Sequence, residues 1–105
     1  MMELRTYTLT DAAALKRYVS EFWPRHILSL RKFGITVHGV WTDSEADELR
    51  VIALVGYAPG EEPLSLAENY RNSREFVEDH LDFDPALIIT THTQSLQPIA
   101  SSPLH

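Results

Sequence analysis

The sequence predicts an α+β fold: one four-stranded antiparallel sheet with helices packed on a single face. Three observations predict it. Four strand-length segments carry β-branched and apolar residues in short runs, and two longer segments carry apolar residues at helical spacing. The chain order of these segments is β-α-β-β-α-β. Finally, the run Leu49 to Tyr57 is apolar on both alternating sides: Val51, Ala53, Val55 and Tyr57 point one way, Ile52, Leu54 and Gly56 the other. A strand of that kind needs both of its faces covered.

Each element has a local cause. Glu3 to Leu9 alternates and carries Thr6, Tyr7 and Thr8, so it reads as a strand. Thr10 or Asp11 caps a helix from Ala12 to about Lys32, and Gly34 ends it. Ile35 to Thr42 is the second strand, Asp43 to Glu48 a polar hairpin loop, and Leu49 to Tyr57 the third strand. Ala58-Pro59-Gly60 is a turn. Pro63 suits a first helical turn, and Leu64 to Leu81 reads as helix in two pieces. Asn72 or Ser73 caps the second piece, with Glu75 placed to close a capping box from Asn72. Asp84-Pro85 breaks that helix, Ala86 to about Leu96 forms the last strand, and Pro98 to His105 is a tail.

This order is the split βαβ, or ferredoxin-like, arrangement, in which right-handed crossovers put both helices on one sheet face. The other face is expected to stay bare. Yet strand two carries Ile35, Val37 and Trp41 on one side with Val40 on the other, and strand four carries Leu87 and Ile89 against Ile88 and Leu96. Leaving such a face in water forfeits about 25 cal/mol per Å² of apolar area. The expected cover is a second copy, giving a homodimer by sheet-to-sheet packing. The alternative is a monomer whose tail folds across the sheet.

Composition sets outer limits. The chain has 105 residues, which makes one domain spanning 1–105. An apolar fraction of 44% excludes disorder, and zero cysteines exclude disulfides and thiolate chemistry. Nine Lys and Arg against 15 Asp and Glu leave a net charge of −6, so no nucleic-acid partner and no anionic membrane surface are expected. No apolar run approaches the ~20 residues of a membrane span, and Met1-Met2-Glu3-Leu4 shows no secretory leader pattern. A cytoplasmic location is the expectation.

The opening Glu3-Leu4-Arg5-Thr6-Tyr7-Thr8-Leu9 resembles the start of NIPSNAP-type domains. So do the long helix that follows, Gly39-Val40-Trp41-Thr42 on strand two, the aromatic Tyr57 closing strand three, Asp84-Pro85, and Ser95-Leu96-Gln97-Pro98. The resemblance covers nearly the whole chain. It implies a dimeric α+β barrel, in which two ferredoxin-like sheets close on each other, and it brings no defined reaction. By analogy of architecture alone, that barrel type includes cofactor-free monooxygenases and haem-handling enzymes.

Candidate chemistry centres on the first helix. A helical wheel gathers Leu15, Val19, Phe22, Leu30 and Phe33 on one side, flanked by Tyr18 and Trp23, with His26 at the centre of the stripe. Pro24 removes a backbone bond to Ser20, so a kink is expected to open space beside Trp23 and His26. In the second helix Phe76, Val77 and Leu81 define an apolar side that contains His80. On strand one, Arg5 and Tyr7 share a parity and Thr6 and Thr8 the other; the sequence leaves open which parity meets the helices. If it is the former, a pocket holds a cation, a phenol and an imidazole, a set that binds a carboxylate or enolate. The candidate ligand-binding residues are Arg5, Trp23, His26, Trp41 and His80, and the candidate catalytic groups His26 and Tyr7. The plain alternative makes His26 and His80 satisfied core histidines and Tyr7 and Trp41 packing residues.

No metal and no cofactor are expected. The five histidines are scattered, with no His-x-x-x-His spacing, and no Gly-rich phosphate loop or Gly-x-Ser-x-Gly elbow occurs. His38 and His92 are candidates to approach each other across a dimer interface. Function at this stage reads as a small-molecule binding protein with one pocket per subunit; the alternative is a cofactor-free enzyme of the monooxygenase or isomerase kind.

Overall fold

The computed structural model describes residues 1–43 and 48–104. Part of the expected hairpin loop, residues 44–47, and His105 lie outside the described residues. The elements are β1 (Met2–Leu9), α1 (Ala12–Arg17), a π-helical turn (Tyr18–Phe22), α2 (Trp23–Lys32), β2 (Ile35–Thr42), β3 (Arg50–Tyr57), α3 (Pro63–Arg71), α4 (Arg74–Asp79), a 3₁₀ turn (Pro85–Leu87) and β4 (Ile88–Leu96). The sheet is antiparallel, in the order β2-β3-β1-β4. This is the expected ferredoxin-like α+β architecture.

Local chemistry explains the boundaries. Asp11 caps α1 by accepting from the Ala14 N–H at 2.8 Å, and Ser73 caps α4 by accepting from the Phe76 N–H at 3.2 Å. Gly34 leaves α2 at φ 80°, where a Cβ would be strained. Ala58 accepts from the Glu61 N–H at 3.1 Å around Pro59 and Gly60 (φ 85°), a Pro-Gly turn of type II character.

The kink expected at Pro24 is replaced by a wider turn. Ahead of the proline the chain makes one π turn, and the Trp23 N–H reaches back to the Tyr18 carbonyl. Pro24 then sits in the first turn of α2, where its missing N–H goes unneeded. The inserted turn also rotates the upstream helix. Ala14 and Tyr18 face the core there, while Val19, expected on the apolar stripe, is 40% exposed.

The sheet faces divide sharply. Val51, Ala53 and Val55 of β3 are fully buried against the helices. The register pairs Arg5 with Ala53 and Tyr7 with Val51, so the Arg5 and Tyr7 parity meets the helices. Leu4 and Thr6 pair with Leu54 and Ile52 on the open face. β2 changes face partway: its register slips between Val37 and Gly39, leaving His38 as the extra residue. Val40 therefore joins Ile35 and Val37 beneath the helices, and Trp41, expected with them, lies on the open face at 54% exposure. Gly39 gives Trp41 room there: a Cβ on Gly39 would stand 2.4 Å from the indole ring. The tail lies along one corner of that face, where Ile99 and Leu104 border Met2, Leu54 and Leu96.

Two apolar clusters form the core. One joins Tyr18, Phe22 and Trp23 to Leu9, Val51 and Phe83; the other joins Leu30 and Tyr70 to Ile35, Val55 and Tyr57.

Candidate functional site

A cavity of about 390 Å³ borders both clusters, between the sheet and the helices. Tyr18, Phe22, His26 and Leu30 line it from the long helix, one residue per turn through the π segment. Arg5 and Tyr7 rise from β1; Tyr70 and Arg71 from α3; Phe76 from α4 and His80 from its C-cap. Four of the six residues singled out in the sequence thus share one cavity: Arg5, Tyr7, His26 and His80. Trp23 packs beside them and is buried among Tyr7, Tyr18, Phe22 and His26 without lining the space. Its indole N–H is close enough to influence the Tyr18 hydroxyl but meets no acceptor at bonding geometry. Trp41 lies across the sheet, away from the cavity.

His26 is held by a buried hydrogen-bond chain. Tyr70 donates its hydroxyl to Asp79 Oδ2 at 2.7 Å, and Ser29 donates to Asp79 Oδ1 at 2.9 Å. His26 Nδ1 stands 2.9 Å from the Tyr70 oxygen and 3.4 Å from Asp79 Oδ2. The Tyr70 proton is already committed to the carboxylate. Nδ1 must therefore carry a hydrogen and donate, which leaves the lone pair on Nε2. Burial lowers the His26 pKa, and the Asp79 contact only partly offsets that. The imidazole is thus neutral near pH 7. Burial works to raise Asp79, but the hydrogen bonds from His26, Tyr70 and Ser29 outweigh it and hold the carboxyl below its usual range. The outcome is a fixed carboxylate, a fixed phenol and a neutral imidazole of one tautomer, the arrangement that orients a base.

A second polar group closes the β1 side. Arg5 Nη2 donates to Glu3 Oε1 at 3.2 Å and to the Tyr57 hydroxyl at 2.6 Å, and Tyr57 donates to the same Glu3 oxygen at 2.6 Å. The guanidinium is paired along its own strand. Arg5 Nη1 takes part in none of these bonds, and the Tyr7 phenol lies against the same cation. Burial raises the Tyr7 pKa, with Arg5 pulling it partly back, so the phenol keeps its proton. Burial likewise pushes Tyr57 up to about 12. Arg5, Tyr7, Ala67, Arg71 and Thr91 also line a neighbouring cavity of about 340 Å³, so the two spaces share these walls.

His80 borders the cavity from the end of α4, with Nδ1 2.7 Å from the Phe76 carbonyl and its ring 4.9 Å from that of Phe22. The helix face around it differs from expectation: Val77 and Leu81 are 60% and 69% exposed, and the buried residue of α4 is Asp79. Two contributors to the site lacked a sequence reading, Tyr70 and Asp79; Arg71, which reads with Arg74, Glu75 and Glu78 as an exposed helix face, is exposed and also lines the cavity. The helical spacing of Leu66, Ala67 and Tyr70 would have turned Tyr70 inward. Asp79 gave no signal, because an acidic residue defaults to the surface until a buried donor is found for it. Among the described residues, no group of three acidic, histidine or cysteine side chains could hold a metal ion, and no helix is long and apolar enough to cross a membrane.

Fold and cavity together define a ferredoxin-like α+β domain with a polar-lined chamber between helices and sheet. That fold is shared with NIPSNAP-domain proteins across nearly the whole chain. A NIPSNAP family protein with unknown function from Agrobacterium tumefaciens superposes with a TM-score of 0.82 at 14% identity, covering 99% of this chain and 92% of that one. A NIPSNAP-like domain protein from Burkholderia xenovorans gives 0.80 at 20% identity, covering 97% and 87%. An uncharacterized NIPSNAP domain protein from the same organism gives 0.76 at 17%, covering 97% of each chain. At these identities the likeness carries the fold and no activity. No family model matches the sequence, and no curated protein does.

Proposed function

We propose that this protein binds a small organic anion with an aromatic or apolar body in the cavity between helices and sheet, and that it works as a homodimer. The observation that carries the reading is a partly buried guanidinium and a neutral, oriented imidazole lining one chamber among aromatic and aliphatic walls. A carboxylate or phenolate gains charge-assisted hydrogen bonds from Arg5, with Arg71 at the rim. Phe22, Phe76 and Ile88 supply the apolar walls. The volume suits a compact single-ring ligand. The dimer is supported by the open sheet face, where Leu4, Ile52, Leu54 and Trp41 lie uncovered by helix.

The test is a calorimetric titration with 4-hydroxybenzoate, tracking tryptophan fluorescence of a Trp41→Phe background in parallel, so that Trp23 is the reporter. Arg71 is exposed, so Arg71→Met probes the cation without touching the core. Binding that weakens about tenfold in that variant, a change of about 1.4 kcal/mol, is the expected result. Heat for wild type and fluorescence for Trp41→Phe that stay flat across aromatic carboxylates and phenols would overturn the reading.

A second reading, a cofactor-free enzyme, is favoured by one observation: the hydrogen-bond chain leaves the His26 lone pair on Nε2, the nitrogen free of Tyr70 and Asp79.

A further inference from the structure

We propose that His26 Nε2 is a general base that moves a proton within an enolisable 2-oxo acid bearing an aromatic ring, while Arg5 holds the enolate oxygen and Arg71 the carboxylate. This rests on the anion-binding reading above and adds a substrate class and a reaction to it.

Four features of the chamber support it. The Asp79–Tyr70 pair consumes Nδ1 and fixes its proton there, so the only basic nitrogen of His26 is Nε2. The imidazole is 7% exposed and neutral, which makes it a proton acceptor that competes little with water. Arg5 stays charged at any ordinary pH and lines the same cavity as His26, where it can answer charge developing beside that base. Tyr7 keeps its phenolic proton and can donate to the same oxygen. The aromatic and aliphatic walls from Phe22, Phe76 and Ile88 fit an aryl group.

The step balances without a co-reactant. Nε2 takes a proton from the carbon between the ring and the carbonyl. The C–H electron pair becomes the carbon–carbon double bond, and the carbonyl π pair moves to oxygen as an enolate opposite Arg5. The imidazolium then returns that proton to the oxygen, giving the enol, or to the carbon, regenerating the ketone. Nothing is oxidised or reduced. Asp79 and Tyr70 are positioning residues here: they touch His26 and not the reacting atoms. The titratable groups around His26 are Tyr70 on α3, Asp79 on α4, His80 just after α4, and Arg5 on β1.

The experiment uses phenylpyruvate in deuterated buffer. Proton NMR follows loss of the benzylic signal, and saturation-transfer difference spectra in the same tubes report binding. Wild type is expected to exchange about a hundredfold faster than His26→Gln, which still binds. Tyr70→Phe is expected to keep binding, slow the exchange and move its pH profile; a purely structural role would leave that profile in place. Circular dichroism of both variants reports the fold, and Tyr70→Phe serves if His26→Gln does not fold. Binding by wild type with exchange at the buffer rate would overturn the proton-transfer role and leave the anion-binding reading intact. Exchange by His26→Gln at the wild-type rate would remove His26 as the base. Failure of phenylpyruvate to bind while 4-hydroxybenzoate does would overturn the substrate class alone.

Discussion

The two faces of the sheet put opposite kinds of side chain to use. Beneath the helices, Val51, Ala53 and Val55 are fully buried, yet this covered face also holds Arg5, Tyr7 and the chain to His26 and Asp79. The open face carries Leu4, Ile52, Leu54 and Trp41, and its charged residue Arg50 pairs with Asp43 at the strand ends. The difference teaches where chemistry can be built. Polar groups gain leverage where water is excluded and every partner is fixed, so they gather under the helices. Apolar groups left on the outer layer gain only from a partner that covers them.

The comparison can be broken from either side. The largest expected effect is on the covered face. Asp79→Ala would strip the acceptor from Tyr70 and Ser29 and the anchor from His26, leaving buried donors unpaired. A loss of about 3 kcal/mol in urea unfolding is expected; a change under about 0.5 kcal/mol, the scale of a surface substitution, would show that the chain does not hold the helices together.

On the open face the expected effect is on mass. Trp41→Lys places a charge on the proposed dimer surface while touching no core cluster. Sedimentation equilibrium is expected to give dimer mass for wild type and monomer mass for the variant, with monomer stability within about 0.5 kcal/mol. Wild type sedimenting as a monomer, with the tail alone against Met2, Leu54 and Leu96, would end the dimer reading.

The smallest effect is in pH. The unfolded His26 gains a proton as pH falls through about 6.5, whereas the folded imidazole resists it. The unfolded state then binds more protons, so stability is full above that value and declines below it. Asp79 acts in the same direction further down: its contribution is present above about 3.8 and is lost as pH falls through its lowered folded value. Urea midpoints at pH 7.5 and pH 5 are expected to fall for wild type and to stay nearly level for His26→Gln. Parallel behaviour of the two proteins would assign the acid sensitivity elsewhere.

Much of this was legible in the residues. The two-sided strand Leu49 to Tyr57, the Asp11 cap, the Gly34 stop and the divided second helix all express local chemistry, and each stands where expected. Placing His26 and His80 beside one space followed from the helical wheels, whereas strand parity left Arg5 and Tyr7 open and the register with β3 brings them there. Two of the misses share a cause. The π turn before Pro24 and the bulge at His38 each add one residue to a periodic element, and everything beyond the insertion changes side. That is why Val19 turned outward and Trp41 crossed the sheet. Asp79 was invisible for another reason: its burial is decided by Tyr70, Ser29 and His26, which come from two other helices.

The base role proposed for the cavity depends on which nitrogen of His26 carries the proton. Long-range ¹H–¹⁵N correlation spectra of the histidine rings at pH 7.5 read this directly. The expected result is a neutral ring protonated on Nδ1, whose Nε2 resonance shifts on addition of 4-hydroxybenzoate. A ring protonated on Nε2, or one whose Nε2 ignores the ligand, would contradict the account.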